Sequence, residues 1–190
     1  MTEQELLRDC LRRLNSRDLA YMLTGSMASN AWGIPRTTHD LDFVVQLPPS
    51  QIATFVEAFR SEDYFVDEAM VRSAYQPPNQ FNVIHIPSAL KVDFWMLKAD
   101  EFEREMFRRK LKDAWLGEPV WIATAEDVVL HKLYWNKLTP SDRQLGDVAG
   151  VVAVQKGKLD EAYLRRWSTE LSVTAELEKA LSGSLRPKHT

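Results

Sequence analysis

The stretch RTTHDLDFVVQL, residues 36–47, decides the fold of this chain. Residues 41–47 form an apolar run that predicts a β-strand, and Asp40 and Asp42 stand at its head. Successive side chains of a strand point to opposite faces, so the two carboxylates share one face. Leu41 and the apolar residues in phase with it face the other way.

Two carboxylates this close together repel each other, which raises one pKa or calls for a cation between them. Mg²⁺ prefers such oxygen ligands, and substrate phosphates commonly complete its coordination shell. Asp40 and Asp42 therefore suggest a magnesium site. The alternative is a polar strand end in which Asp40 is only a turn residue.

A second feature is the pair Gly25-Ser26, which follows a predicted strand over residues 20–24 and opens a short helix over residues 26–32. A glycine at a strand-to-helix turn lets backbone N–H groups approach an anion, and the helix start adds partial positive charge. The serine hydroxyl can donate to a phosphate oxygen. A purely structural turn is the alternative.

The third feature is Asp93, which lies in the aromatic-rich strand KVDFWML, residues 91–97. An acid in such a strand is costly to bury unless another group pairs with it. The pattern leaves two interpretations. Asp93 either forms a salt bridge, for instance with an arginine, or is a third metal-binding or catalytic carboxylate.

The rest of the chain divides near the Gly117-Glu118-Pro119 turn. Before it, we expect a helix over residues 3–16, a hairpin of strands 81–86 and 91–97, and a charged helix over residues 101–113. After it, the pattern is helical and starts with a T-x-x-D cap at Thr124. The sequence predicts an α+β core over residues 1–118 and a helical subdomain over residues 119–185, with a frayed tail from residue 183 to residue 190.

Composition excludes several classes of protein. The 190 residues carry 24 basic and 27 acidic side chains, a net charge of −3, which does not favour broad nucleic-acid binding. One cysteine, Cys10, allows neither an intrachain disulfide nor a cysteine-based zinc site. We see no signal peptide and no apolar run of membrane-spanning length, so we expect a cytoplasmic protein without membrane association.

In combination, the three features resemble the nucleotidyltransferase superfamily of the polymerase-beta type. Its pattern is a Gly-Ser or Gly-Gly turn, a strand with Asp-x-Asp, and a third carboxylate on a neighbouring strand. Arg36, Thr38, Asp40 and Asp42 fill an Arg-x-Thr-x-Asp-x-Asp signature that resembles AbiEii-like toxin nucleotidyltransferases. Those enzymes also have a lysine on a later helix and an Arg…Asp element on the next one. Lys132, Arg143 and Asp147 occupy the matching places.

The resemblance implies a small mixed sheet flanked by helices, with a helical subdomain that closes a nucleotide cleft. It implies transfer of a nucleoside monophosphate from an NTP to an acceptor hydroxyl, either of RNA or of a small molecule. A toxin-like enzyme would also have a cognate antitoxin as partner. The implied catalytic and Mg²⁺-binding residues are Asp40, Asp42 and Asp93, and the implied nucleotide-binding residues are Gly25, Ser26, Arg36, Thr38, Lys132 and Asp147.

Several alternatives remain open at this level. Asp93 would either complete a second metal site or accept the proton of the acceptor. Lys132 could instead be a lysine that extends to solvent, and Asp147 could simply pair with Arg143 one helical turn earlier. The chain could be an antibiotic-type transferase that acts on a small molecule, or a non-catalytic relative that binds only a nucleotide or a partner protein.

Overall fold

The computed structural model describes residues 1–185, within which the strands form one seven-stranded mixed sheet. The helices are α1 (Glu3–Ser16), α2 (Gly25–Trp32), α3 (Ile52–Ala58), α4 (Glu68–Ser73), α5 (Glu101–Arg109), α6 (Ala125–Leu138), α7 (Asp142–Val154), α8 (Glu161–Glu170) and α9 (Thr174–Leu181). The strands are β1 (Ala20–Leu23), β2 (Leu41–Gln46), β3 (Tyr64–Phe65), β4 (Gln80–His85), β5 (Leu90–Met96), β6 (Leu111–Trp115) and β7 (Glu118–Ile122). The tail that the sequence predicts to fray lies, from residue 186 onward, outside the described residues.

The chain separates into two compact units, each made of two segments. Residues 1–24 and 39–122 form the sheet unit, and residues 25–38 together with residues 123–185 form the helical unit. The sequence predicts a single boundary at residue 118. Residues 119–122 instead belong with the sheet, because β7 pairs with β1 and β6. Residues 25–38 belong with the later helices, because α2 packs against α6 and α7.

The sheet of the first unit has the strand order β3-β4-β5-β2-β1-β7-β6. Strand β2 lies at its centre, antiparallel to β1 and parallel to β5. Strands β4 and β5 form the predicted antiparallel hairpin. Sequence and structure thus agree on an α+β fold with a mixed sheet flanked by helices.

The hydrophobic core of this unit is built on one row of cross-strand neighbours. Phe43, Phe94 and Phe81 lie in register on β2, β5 and β4, and adjacent rings stack with centroids 5.4 Å apart. Phe55 of α3 meets the Phe94 ring edge-on at 5.0 Å. All four side chains are buried. Side chains one position earlier on β2 and β5 must therefore point to the opposite face.

The charged helix predicted over residues 101–113 is too long. Helix α5 ends at Arg109, because its apolar face runs only from Phe102 to Phe107, and the next residues form edge strand β6. Leu116 and Gly117 both have positive φ, 55° and 82°, which suits the two-residue turn of a hairpin. Pairing between β6 and β7 across this turn overrides the local charge pattern.

The helical unit is organised around a close approach of α2 and α7. A Cβ on Gly33, directly after α2, would lie 2.8 Å from the Val151 nitrogen and 3.0 Å from the Gly150 carbonyl carbon. The predicted cap of α6 is confirmed, since the Thr124 side chain accepts from the Asp127 backbone N–H. None of the helices in residues 1–185 has the combined length and apolar character needed to cross a membrane.

Candidate active site

Three aspartates of the sheet unit, Asp40, Asp42 and Asp93, are called here the carboxylate cluster. Asp42 on β2 pairs in register with Asp93 on the parallel strand β5. Register neighbours project to the same face, so the two side chains lie beside each other on the face opposite the aromatic row. Asp40 precedes β2 and is exposed, whereas Leu41 is buried. The alternation predicted at the head of this strand is present.

Asp93 is the most enclosed member of the cluster, with 12% of its side chain exposed. Its two carboxylate oxygens accept hydrogen bonds from the Lys91 ammonium at 2.8 and 2.7 Å. The side-chain amide of Asn82, the register neighbour on β4, lies 3.1 Å from Asp93 Oδ1, and its nitrogen donates to that oxygen once the oxygen and nitrogen of the amide are exchanged. The sequence suggested an arginine as salt-bridge partner, but the partner is a lysine two residues earlier on the same strand face.

Neither Lys91 nor Asn82 was singled out by the sequence reasoning. A signal for Lys91 was available, because residues two apart on a strand share a face. Asn82 could not be found this way, since its place depends on the register between β4 and β5.

The carboxylate cluster has the chemistry of a magnesium site, since hard oxygen donors from neighbouring strands suit this ion. Within residues 1–185, however, no group of three or more His, Cys, Asp or Glu side chains is arranged to hold a metal ion. The three aspartates thus supply the kind of ligand atom that Mg²⁺ prefers, but the structure does not gather them into one metal site. Their joint use as a three-aspartate site remains a prediction.

The Gly25-Ser26 turn begins where β1 ends. The Thr24 backbone N–H donates to the Asp42 carbonyl at 3.0 Å, so β1 ends beside the start of β2. Gly25 follows with a φ of 62°, a left-handed conformation that costs glycine little. Helix α2 starts at Gly25, and the Ser26 hydroxyl, already buried, accepts from Arg36 Nη2 at 2.9 Å.

Four predicted site residues of the helical unit meet in what we call the basic cluster: Ser26, Arg36, Lys132 and Asp147. Arg36 donates two parallel hydrogen bonds to the Asp147 carboxylate, from Nε at 2.7 Å and from Nη2 at 2.9 Å. Lys132 Nζ donates to Asp147 Oδ2 at 2.7 Å. Two cations share one carboxylate, so these residues together have an excess of positive charge.

Two alternatives from the sequence are wrong at this cluster. Lys132 does not extend to solvent, because only 8% of its side chain is exposed and its ammonium lies on Asp147. Asp147 pairs with Arg36 and Lys132, not with Arg143, which is exposed near the start of α7. Burial alone raises the pKa of Asp147, but the hydrogen bonds and charges of its two partners outweigh burial and lower that pKa.

Asn30 of α2 holds the backbone of Arg36 in place, a role that the sequence reasoning missed. Its amide nitrogen donates to the Arg36 carbonyl at 2.7 Å, and its amide oxygen accepts from the Arg36 N–H at 3.1 Å. Thr38, the remaining predicted nucleotide-binding residue, is half-buried two positions further along the chain. No pattern in the sequence marks Asn30, because its partner follows an irregular loop.

Comparison with known proteins supports the fold through structure alone. No family model matches the chain, and no curated protein does. A crystal structure of ANT(2'')-Ia in complex with adenylyl-2''-tobramycin superposes with a TM-score of 0.61 at 13% identity, covering 90% of this chain and 98% of the other. The chain has a nucleotidyltransferase fold.

Two further structures share this nucleotidyltransferase fold. A solution structure of ANT(2'')-Ia matches with a TM-score of 0.53 at 14% identity, over 92% of this chain and 94% of the other. An antigenic nucleotidyltransferase-like protein from Paracoccidioides brasiliensis matches with a TM-score of 0.51 at 12% identity, over 97% and 94%. These identities are low, so the likeness concerns the fold.

Proposed function

We propose that this protein transfers a nucleoside monophosphate from an NTP to an acceptor hydroxyl and releases pyrophosphate. The observation that supports it most directly is the register pairing of Asp42 with Asp93 on the central strands of a nucleotidyltransferase fold. Lys91 neutralises the charge of Asp93, and Asp40 and Asp42 beside it offer the oxygen donors that Mg²⁺ prefers. A binding-only relative would have no need of them.

Each residue has a proposed role in this reaction. Asp40 and Asp42 would hold Mg²⁺, which supplies charge neutralisation at the triphosphate when it is bound. Asp93 would supply the third carboxylate. In the helical unit, Lys132 and Arg36 would donate to phosphate oxygens, with Asp147 keeping both cations in position. Gly25, Ser26 and Thr38 would add backbone or hydroxyl donors.

The test of this proposal is a transfer assay with labelled NTPs, Mg²⁺ and candidate acceptors. We expect Asp42→Asn and Asp40→Asn each to lower transfer by more than about a hundredfold, because the metal supplies several kcal/mol of charge stabilisation. The matched control is Asp18→Asn, an exposed aspartate in the loop before β1 at a φ of 49° that asparagine tolerates. Wild-type rates in both cluster variants would contradict the proposal.

The acceptor separates two versions of the function. The toxin resemblance of Arg36, Thr38, Asp40 and Asp42 favours RNA as acceptor, together with a cognate antitoxin. A small-molecule acceptor is favoured by the likeness to the fold of ANT(2'')-Ia, whose structure holds adenylyl-2''-tobramycin, and by the net charge of −3. Incubation of the protein with labelled NTPs and either total RNA or a panel of aminoglycosides and metabolites distinguishes the two.

The toxin version has a cellular test of its own. Expression in a bacterial host is expected to slow growth for the wild type and not for Asp42→Ala at equal protein level. Equal growth of the two strains would remove the toxin role while leaving nucleotidyl transfer in place.

A further inference from the structure

Lys91 places a positive charge inside the carboxylate cluster. It lies two residues before Asp93 on β5, so both side chains project to the same face. The register pair Leu41–Val92 puts Lys91 level with Asp40, just as Asp42 is level with Asp93. Strand β5 therefore carries an ammonium group on the same sheet face as Asp42 and level with Asp40, the two candidates for metal binding.

The hydrogen bonds of Asp93 show how completely this carboxylate is engaged. Lys91 Nζ donates to both oxygens, at 2.8 and 2.7 Å. The Asn82 amide of the neighbouring strand β4 lies 3.1 Å from Oδ1 and donates to it once its oxygen and nitrogen are exchanged. A divalent ion on Asp93 would have to displace the ammonium or share an oxygen with it. Like charges at such short distance repel strongly.

The arrangement of acidic side chains agrees with this. Among the residues that the structure describes, no three His, Cys, Asp or Glu side chains are grouped as a metal site, although Asp42 and Asp93 are register neighbours. Asp93 is paired with a cation from its own strand, and Asp40 and Asp42 stand two residues apart at the head of the neighbouring strand β2. The cluster thus divides into a pair of aspartates and a separate lysine–aspartate pair.

We propose that Lys91 is a built-in cation that takes the place of a second divalent ion at Asp93. The chain then binds one divalent ion, through Asp40 and Asp42, and Asp93 remains a metal-free carboxylate. This inference rests on the proposed function for its assignment of the ion to Asp40 and Asp42. It also decides between the two roles left open for Asp93, because a carboxylate held by Lys91 is not a metal ligand.

The experiment counts Mn²⁺ ions bound to the full chain, from the loss of the free-ion EPR signal, without nucleotide or acceptor. We expect one ion per wild-type chain. The double variant Lys91→Met/Asp93→Asn removes the ammonium together with the carboxylate that it neutralises, and should keep that ion with its affinity changed less than about twofold. Asp42→Asn should lose the ion. Lys91→Met should gain a second ion at Asp93, bound at least about tenfold more tightly than any second ion on the wild type.

Lys112→Met serves as the matched control, since Lys112 is an exposed lysine on edge strand β6 of the same sheet. Melting curves check that each variant folds, above all Lys91→Met, because it removes the cation that pairs with the largely buried Asp93 carboxylate. Two ions on the wild type, none at all, or weaker binding in Lys91→Met/Asp93→Asn would each overturn the proposal. An unchanged count of one in Lys91→Met would overturn it as well.

The transfer assay tests the proposed function independently of the count of bound ions. A chain that binds one Mn²⁺ independently of Asp93 but transfers no nucleotide loses the proposed reaction and retains the assignment of Lys91. A chain that transfers nucleotide but loses the ion in Lys91→Met/Asp93→Asn retains the reaction and loses the assignment.

Discussion

At the scale of single residues, Lys132 is where the structure rules out one of the two interpretations that the sequence left open. A lysine extending to solvent would contribute little to stability, but Lys132 is buried on Asp147. Lys132→Ala is expected to lower the free energy of unfolding by about 1–3 kcal/mol, because Asp147 keeps Arg36 as a partner. Urea denaturation measures this loss. Lys137→Ala, an exposed lysine on the same helix, is expected to change stability by less than about 0.5 kcal/mol.

The same substitution tests the proposed triphosphate contact. Losing a charge-assisted hydrogen bond of about 1.5–3 kcal/mol should weaken NTP binding about ten- to a hundredfold, as measured by calorimetry below the melting temperature of the variant. An unchanged dissociation constant in a folded Lys132→Ala variant would limit Lys132 to a structural role. The nucleotide-binding assignment of the helical unit would then lose its main support.

Asp147 should make stability depend on pH in acid. Its folded-state pKa is lowered: burial acts to raise it, but Arg36 and Lys132 more than compensate. Because the pKa of Asp147 is lower in the folded chain than in the unfolded chain, where it is near 3.8, the ionised carboxylate stabilises the fold at pH values above 3.8. This stabilisation is lost as the pH falls through the folded-state pKa. Asp147→Asn should cost about 3 kcal/mol or more at pH 7, because the buried Lys132 and the half-buried Arg36 lose their carboxylate, and less below about pH 4. Unfolding curves at pH 3–7 test this, and a pH-independent difference would contradict it.

At the scale of elements, the contact of α2 with α7 depends on Gly33. A Cβ there would meet backbone atoms of Val151 and Gly150 at 2.8 and 3.0 Å, and backbone moves far less readily than a side chain. Gly33→Ala should therefore lower the free energy of unfolding by about 1–3 kcal/mol. Gly150→Ala is the comparison, since its Cβ would lie 3.3 Å from the Ile34 nitrogen. A urea midpoint of Gly33→Ala equal to that of the wild type would contradict the prediction.

Helix α5 carries a buried acid that should oppose folding as pH rises. Burial raises the pKa of Glu103 to about 7, from an ordinary value near 4.5. The unfolded chain loses this proton first, so stability is full below about pH 4.5 and falls by about 2–4 kcal/mol as pH rises through 7. Glu103→Gln should flatten stability between pH 5 and pH 8, whereas Glu101→Gln, exposed on the same helix, should not. Identical pH profiles of wild type and Glu103→Gln would refute this.

At the scale of the whole molecule, the units are interleaved along the chain. Residues 25–38 belong to the helical unit although they lie between β1 and β2, and β7 completes the sheet after the boundary predicted at residue 118. A fragment of residues 1–118 would lack β7 and the α6 and α7 partners of α2. We expect no cooperative melting of this fragment by circular dichroism, in contrast to the full chain. A sharp transition would mean that the sheet unit folds without β7.

Some of this protein follows from local sequence alone. Helix α1 spans Glu3–Ser16 as predicted, because its apolar stripe and its acidic start act within one element. The Thr124 cap and the face shared by Asp40 and Asp42 are equally local, since they depend on spacing of three and two residues. These features identified the candidate carboxylates before any contact between elements was known.

Other features depend on contacts between residues that are far apart in the sequence, and only the tertiary structure determined them. Arg36 and Asp147 are separated by 111 residues, and no spacing rule could pair them in preference to the nearby Arg143. Residues 111–113 carry a helical charge pattern but become a strand, because their partners on β7 satisfy the backbone hydrogen bonds of a sheet edge. The sequence by itself determined which residues could bind a nucleotide and a metal. Only the register of β2 with β5, and the packing of α2 on α6 and α7, determined which of them meet.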